Sequence, residues 1–186
     1  MGKMELRGAI GFSLYKKGGF FGLLAKAIRF FTGGRWSHTF VCLYDDPDLG
    51  SVVIEAGDLG VSINPFSKYL DESTYSFKIY LPLTKEEHII EGLKRVIQLN
   101  GKPYGYFQLL GFIWIWFMKK VFRKKVHNPI GGGWICSEEV LSYAKRLEID
   151  KEKFDALDKD STSPAELDDI ISESKWFKLI LQQGEI

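Results

Sequence analysis

Cysteine is scarce in this sequence, and so is an excess of charge of either sign. The 186 residues include only two cysteines, Cys42 and Cys136, which excludes a disulfide scaffold and a four-cysteine zinc site. Lys and Arg number 25 and Asp and Glu number 24, so binding of nucleic acid is not expected. Hydrophobic residues make up 45% of the chain, enough for the core of one domain spanning residues 1–186 without a metal or other cofactor.

A long hydrophobic run is also lacking. The most apolar stretch, residues 107–118, is shorter than the ~20 residues that a membrane-spanning helix needs, and Gln108 and Gly111 interrupt it. The first residues do not have the pattern of a secretory signal. We therefore expect a cytoplasmic protein by default, with a phage-encoded or virion-associated protein as the alternative.

Hydrophobic periodicity predicts an α+β domain in which a small antiparallel sheet packs against helices. Apolar residues recur at helical spacing in residues 22–31, 84–99, 107–122 and 134–147. Thr84 is the expected N-cap of the second helix, and the sequence Ser163-Pro164-Ala165-Glu166 predicts the start of a last one. Strands are predicted at residues 37–44, 51–56, 60–64 and 76–81, the first two as a hairpin.

The two cysteines differ in their sequence context. Cys136 follows a glycine-rich loop and opens a predicted helix, where the local positive dipole lowers the pKa of a thiol and favours the nucleophilic thiolate. Cys42 lies in the middle of a predicted strand, where a thiol usually packs in a core. Cys136 is therefore the candidate nucleophile, with buried packing as its alternative, and Cys42 is expected to pack in the core.

His38 and Glu55 are the candidate partners of Cys136. His38 begins the first strand of the predicted hairpin, and Glu55 interrupts the apolar second strand, where a carboxylate needs a partner. In a hairpin the two side chains can lie on the same face, so that Glu55 orients the imidazole and favours its protonated form. Alternatively, His38 is structural and Glu55 faces water on an edge strand.

Three short motifs, in this order, resemble the permuted NlpC-type papain-like cysteine hydrolases (YiiX- or YebB-like). They are Ser37-His38 at the start of a strand, then Val53 to Gly57 around Glu55, then Ile135 to Val140 around Cys136. Residues 102–106 and Ser163 to Leu167 also look like elements of that family. The resemblance implies a circularly permuted papain-like (NlpC-type) fold.

The resemblance also implies roles for single residues. Cys136 would be the nucleophile, His38 the base and then the acid, and Glu55 the orienting group. The backbone N–H of Cys136 would be the first oxyanion donor, and Tyr104 is a guess for the second. A metal site is not expected, because the sequence has no closely spaced pair of ligands.

Several functions remain open at this point. The leading one is a peptidase or amidase that forms an acyl-enzyme on a cell-wall (peptidoglycan) peptide or a similar amide. A lipid acyl hydrolase or acyltransferase at a membrane surface is the first alternative. A structural or binding module that keeps the fold without catalysis, for example in a phage particle, is the second.

An aromatic and basic insert at about residues 107–126 departs from the simpler members of the family. The segment from Phe107 to Lys125 is apolar and aromatic in its first half and dense in lysine and arginine in its second. Contact with an anionic membrane, docking on a partner protein and burial as a core helix are the three interpretations. The end of the chain is acidic, so the near-zero net charge averages a basic middle and an acidic end.

Overall fold

A six-stranded antiparallel sheet forms the centre of the computed structural model, with helices around it. The structure describes residues 6–46, 50–105, 111, 114, 118, 121–122 and 133–184. The strand order is β4-β3-β2-β1-β5-β6. This arrangement confirms the α+β class and the antiparallel sheet.

Neighbouring strands are consecutive in the sequence except β1 and β5, which pair with each other in the middle of the sheet. Their bounds are β1 Ile10–Tyr15, β2 His38–Asp46, β3 Gly50–Gly57, β4 Gly60–Pro65, β5 Tyr75–Pro82 and β6 Phe177–Gln183. The predicted hairpin is β2 with β3, in a register that pairs Val41 with Ile54 and Cys42 with Val53. The predicted sheet was too small, because β1 and β6 were not expected.

Five α-helices have both ends within the described residues: α1 Gly19–Thr32, α2 Glu86–Ile97, α3 Cys136–Ala144, α4 Lys151–Asp155 and α5 Pro164–Ser172. The Ser163 hydroxyl accepts a hydrogen bond from the Glu166 N–H, which confirms the predicted cap of α5. Thr84 as the cap of α2 was wrong. The N-cap is Lys85, and the Thr84 hydroxyl instead donates to the Leu147 carbonyl at 2.8 Å.

The sheet has a separate hydrophobic core on each face, and the two cysteines belong to different ones. Cys136 lies in the larger core, which the sheet forms with α2, α3, α4 and α5. Cys42 lies in the smaller core, which a 3₁₀ helix, Phe66–Leu70, covers. Cys42 is fully buried, as its position in the middle of a strand predicted.

Most of the aromatic and basic insert lies outside the described residues. Its five described residues, Gly111, Trp114, Met118, Val121 and Phe122, are helical. Trp114 is 46% exposed, and Val121 and Phe122 are each 56% exposed. Within the described ranges, no helix has both the length and the apolar character needed to cross a membrane.

Candidate active site

The hairpin of β2 and β3 brings His38 and Glu55 into contact. Continuing the register from Val41 and Ile54 places Glu55 one diagonal step from His38 on the same face. The His38 Nε2 lies 2.7 Å from Glu55 Oε2. Because His38 is the first residue of β2, its ring stands at the end of the strand, where it can meet residues from both layers.

Glu55 is only 3% exposed and is surrounded by donors. Besides His38, it accepts hydrogen bonds from the amide of Asn64 at 2.9 Å, from the ammonium of Lys68 and from the hydroxyl of Tyr69. Asn64 comes from β4, which pairs with β3, and Lys68 and Tyr69 come from the 3₁₀ helix. A carboxylate with both oxygens bonded in this way is stable in its charged form despite burial.

Cys136 is the first residue of α3, as the sequence predicted. Ile135 is the N-cap, and its N–H donates to the Glu138 side chain at 3.1 Å, which fixes the first turn. The backbone just before the helix is also held, since Trp134 exchanges hydrogen bonds with Pro103 and Gly105 at 2.9 and 3.1 Å. These contacts fix the position of the thiol at the positive end of the helix dipole.

The thiol of Cys136 and the imidazole of His38 form a hydrogen-bonded pair. Since Nε2 of the ring donates to Glu55, Nδ1 is the nitrogen left for the thiol. Burial on its own raises the pKa of the Cys136 thiol, but the charge of His38 and its hydrogen bond lower that pKa below its ordinary value.

The same interactions shift the pKa of His38 in the opposite direction, upwards. Burial lowers the pKa of His38, but the charge of Cys136 and the hydrogen bonds to Cys136 and Glu55 outweigh it, so the pKa lies well above its ordinary value. Burial likewise raises the pKa of Glu55, while His38 and Lys68 bring it down to about 2. The three groups together favour a thiolate, an imidazolium and a carboxylate, which is the charge pattern of an activated cysteine nucleophile.

A second buried carboxyl, that of Glu139, lies close to the same three groups. Glu139 is one helical turn after Cys136 in α3 and is fully buried. Within the described residues no side chain donates a hydrogen bond to its carboxyl, which faces the backbone N–H of Ala56. Burial raises the pKa of Glu139 well above its ordinary value; the charge of His38 opposes this rise and the negative charges of Glu55 and Cys136 add to it, so that the neutral carboxyl is favoured.

A cleft of about 320 Å³ opens beside His38 and Glu55, a size within the usual range of ligand pockets. One wall is apolar and belongs to α1, with Phe21, Leu24, Ala25 and Ile28. Tyr104, the guessed second oxyanion donor, also lines the cleft, so its position is compatible with that role, which stays a prediction. Cys136 itself is 4% exposed.

The sequence reasoning found the three central residues and missed their support. Cys136, His38 and Glu55 meet in one place, although 98 positions separate His38 from Cys136. The sequence did not predict the four residues that surround the three: Asn64, Lys68, Tyr69 and Glu139. The only available signal was the carboxylate in an apolar strand, because a buried Glu55 requires donors from neighbouring elements.

Within the described ranges, no group of three or more His, Cys, Asp or Glu side chains could hold a metal ion. No protein-family model matches the chain, and no curated protein is significantly similar to it in sequence.

Proposed function

We propose that the protein is a thiol-dependent hydrolase that cleaves an amide or ester through an acyl-enzyme. The observation that supports this best is the position of His38, which is hydrogen-bonded to the Cys136 thiol on one side and to the buried Glu55 carboxylate on the other. The order of the three residues along the chain resembles that of the permuted papain-like hydrolases, and we propose that fold for the protein.

The reaction would proceed in two steps. The Cys136 thiolate attacks the substrate carbonyl carbon, and the tetrahedral oxyanion accepts a hydrogen bond from the Cys136 backbone N–H. The bond to the leaving amine or alcohol breaks as the His38 imidazolium gives it a proton, which leaves a thioester on Cys136. Neutral His38 then takes a proton from water, and the hydroxide equivalent attacks the thioester and releases the acid. Glu55 holds the ring in orientation throughout.

The expected substrate is an amide of a cell-wall peptide or a similar linkage, as the sequence motifs imply. A lipid acyl ester is the second candidate, and the apolar α1 wall of the cleft favours it, since Phe21, Leu24 and Ile28 can pack against an alkyl chain. A non-enzymatic module that retains the site is the remaining alternative.

Alkylation of the thiols separates the catalytic interpretation from the non-enzymatic one. We expect iodoacetamide to modify Cys136 at least ~10-fold faster than Cys42 at pH 7, because His38 stabilises the Cys136 thiolate and Cys42 is fully buried in the other core. Peptide mass spectrometry measures the two rates in the same sample. Equal rates at the two cysteines would contradict the proposal.

Two variants test whether Cys136 forms the acyl-enzyme. With a soluble activated thioester or ester as probe, Cys136→Ala should abolish both turnover and the mass increase of the acyl-enzyme. Cys42→Ala is the matched control, and it should keep the activity because Cys42 packs in the other core. Retained turnover in Cys136→Ala with an unchanged circular dichroism spectrum would rule the mechanism out.

A further inference from the structure

The helix α1 is apolar on most sides, and in the described part of the chain one side lines the cleft while another is largely exposed. Phe21, Leu24, Ala25 and Ile28 face the cleft. On another face, Phe20 and Leu23 are each 69% exposed and Phe30 is 66% exposed. At 100° per residue, positions 20, 23, 26, 27 and 30 lie within one third of the helix circumference. We call Phe20, Leu23, Lys26 and Phe30 the outer face of α1.

Such a surface is unusual for a protein that is surrounded by water. A helix that is apolar all round is normally buried, and large contiguous apolar patches mark surfaces that meet another phase or partner. Three large side chains that are two-thirds exposed on one helix face are therefore more than scattered surface hydrophobics. The outer face of α1 requires an occupant.

The charge of the chain segment that contains α1 indicates which occupant fits. Residues 6–44 contain no Asp or Glu, but they contain Lys16 and Lys17 just before α1, Lys26 and Arg29 within it, and Arg35 after it. Lys16, Lys17 and Lys26 are exposed. Lys17 lies 3.6 Å from Asp71, an ion pair in which both side chains are about half exposed. An exposed apolar face with a basic border is the pattern of helices that lie in the interface of an anionic bilayer.

A second copy of the chain fits this surface less well. A two-fold contact would place the same patch on both partners, so that each Lys26 would face basic residues of the other copy. Like charges in an apolar contact are unfavourable unless counter-charges accompany them. Anionic lipid headgroups supply those counter-charges.

We propose that the outer face of α1 docks the protein on an anionic membrane surface. Phe20, Leu23 and Phe30 insert among the upper parts of the acyl chains, and Lys26 with its basic neighbours meets the headgroup phosphates. Because another side of the same helix forms a wall of the cleft, docking brings the cleft beside His38 and Glu55 to the bilayer. The docking itself does not depend on the proposed chemistry.

Vesicle flotation with the full chain tests the docking surface. We expect the protein to float with vesicles of phosphatidylcholine that contain about one third phosphatidylglycerol, and not with phosphatidylcholine alone. Raising the salt concentration should weaken the binding, since the headgroup attraction is screened. The Cys136→Ala variant should bind as well as the original chain.

Substitutions on the outer face identify the surface. Leu23→Asp and Phe30→Asp should each reduce the bound fraction at least ~10-fold, and Lys26→Gln should weaken binding roughly 5-fold. The matched controls are Ile97→Asp and Lys94→Gln in α2, where Ile97 is 48% exposed and Lys94 lies in an exposed ion pair. Both controls should bind normally, and thermal unfolding checks that each variant is folded.

Two outcomes would overturn the proposal. One is failure of the folded protein to bind anionic vesicles. The other is binding that Leu23→Asp and Phe30→Asp leave unchanged, which would assign the contact to another surface. A concentration-dependent dimer that Leu23→Asp dissociates would identify a second copy as the occupant and would also refute membrane docking. Turnover of the soluble probe is measured separately, so its loss would count against the proposed hydrolase and not against docking.

Discussion

Glu55 and Glu139 are two buried carboxyls beside the same thiol and imidazole, and their pKa values are shifted in opposite directions. Glu55 accepts hydrogen bonds from four side chains and has a pKa of about 2. Glu139 makes no side-chain hydrogen bond within the described part of the chain, and its pKa lies well above the ordinary value. Burial acts on both in the same direction, so the partners decide which one is charged.

The contrast between the two carboxyls explains why the thiolate of Cys136 and the imidazolium of His38 are favoured. One negative charge behind the imidazole favours the imidazolium, and hence the thiolate. A second carboxylate near the thiol would disfavour the thiolate by repulsion, but a neutral Glu139 adds no such charge. We therefore expect the site to need an ionised Glu55 and a protonated Glu139.

The largest expected difference between the two carboxyls is in activity. Glu55→Gln removes the charge behind His38, and we expect kcat/KM for the soluble probe to fall by about 10²–10⁴-fold. Glu139→Gln replaces a neutral carboxyl by a neutral amide of similar shape, so kcat/KM should change by less than ~5-fold. Steady-state kinetics of the two folded variants measures both, and equal losses would refute the distinction.

The pH profile sharpens the comparison. Activity requires the thiolate and the imidazolium, so kcat/KM should rise with the lowered thiol pKa and fall only above the raised pKa of His38. In Glu55→Gln the charge that helps to raise the His38 pKa is lost, and the alkaline limb should move to lower pH. In Glu139→Gln the alkaline limb should stay in place. An alkaline limb that Glu55→Gln leaves unmoved would contradict the orienting role.

Stability should depend on pH in opposite directions at the two positions. Glu139 has a folded-state pKa above its unfolded value of about 4.5, so its contribution is full below that pH and is lost as the pH rises. Glu139→Gln should therefore gain in Tm relative to the original chain as the pH rises above about 5. For Glu55 the folded-state pKa is depressed, and its contribution should be lost as the pH falls from about 4.5 towards 2.

Thermal unfolding across this pH range measures both contributions. A Tm difference between Glu139→Gln and the original chain that does not change with pH would show that Glu139 is ionised in the folded protein.

The smallest expected effect is that of a single partner of Glu55. Tyr69→Phe removes one hydrogen bond to the carboxylate and should lower the unfolding free energy by about 1.5–3 kcal/mol, as for other bonds to charged groups. Tyr75→Phe is the matched control, since Tyr75 also lines the cleft and its ring packs 5.0 Å from that of Tyr69. Urea titration of both variants shows whether Tyr69 differs from its neighbour.

The sequence predicted the hairpin of β2 and β3 and the helix at Cys136 because both have strong local signals. Residues 37–44 alternate in polarity, and Glu55 stands out in an apolar strand. The sequence did not reveal β1, because Gly11 and Ser13 weaken its pattern, although the strand is central in the sheet. The strand β1 is stabilised by its pairing with β2 and β5, which the local sequence pattern does not show.

The surroundings of Glu55 and the state of Glu139 could not be predicted for a related reason. Lys68 and Tyr69 belong to a 3₁₀ helix with no sequence pattern that points to β3. An acidic residue in the first turn of a helix is ordinarily explained by the helix dipole, so no sequence pattern marks Glu139 as a buried carboxyl of the site. Its burial results from the packing of α3 on the sheet.

The order of the site residues along the chain also has a consequence for biosynthesis. His38 and Glu55 lie in strands that are completed well before Cys136 is made, and β6 pairs with β5 only when residues 177–183 are present. At about 5–20 residues per second, a ribosome needs roughly 4–16 seconds to go from Glu55 to Cys136. The nascent chain thus carries the base and its carboxylate before the nucleophile, and the last strand of the sheet is made after all three.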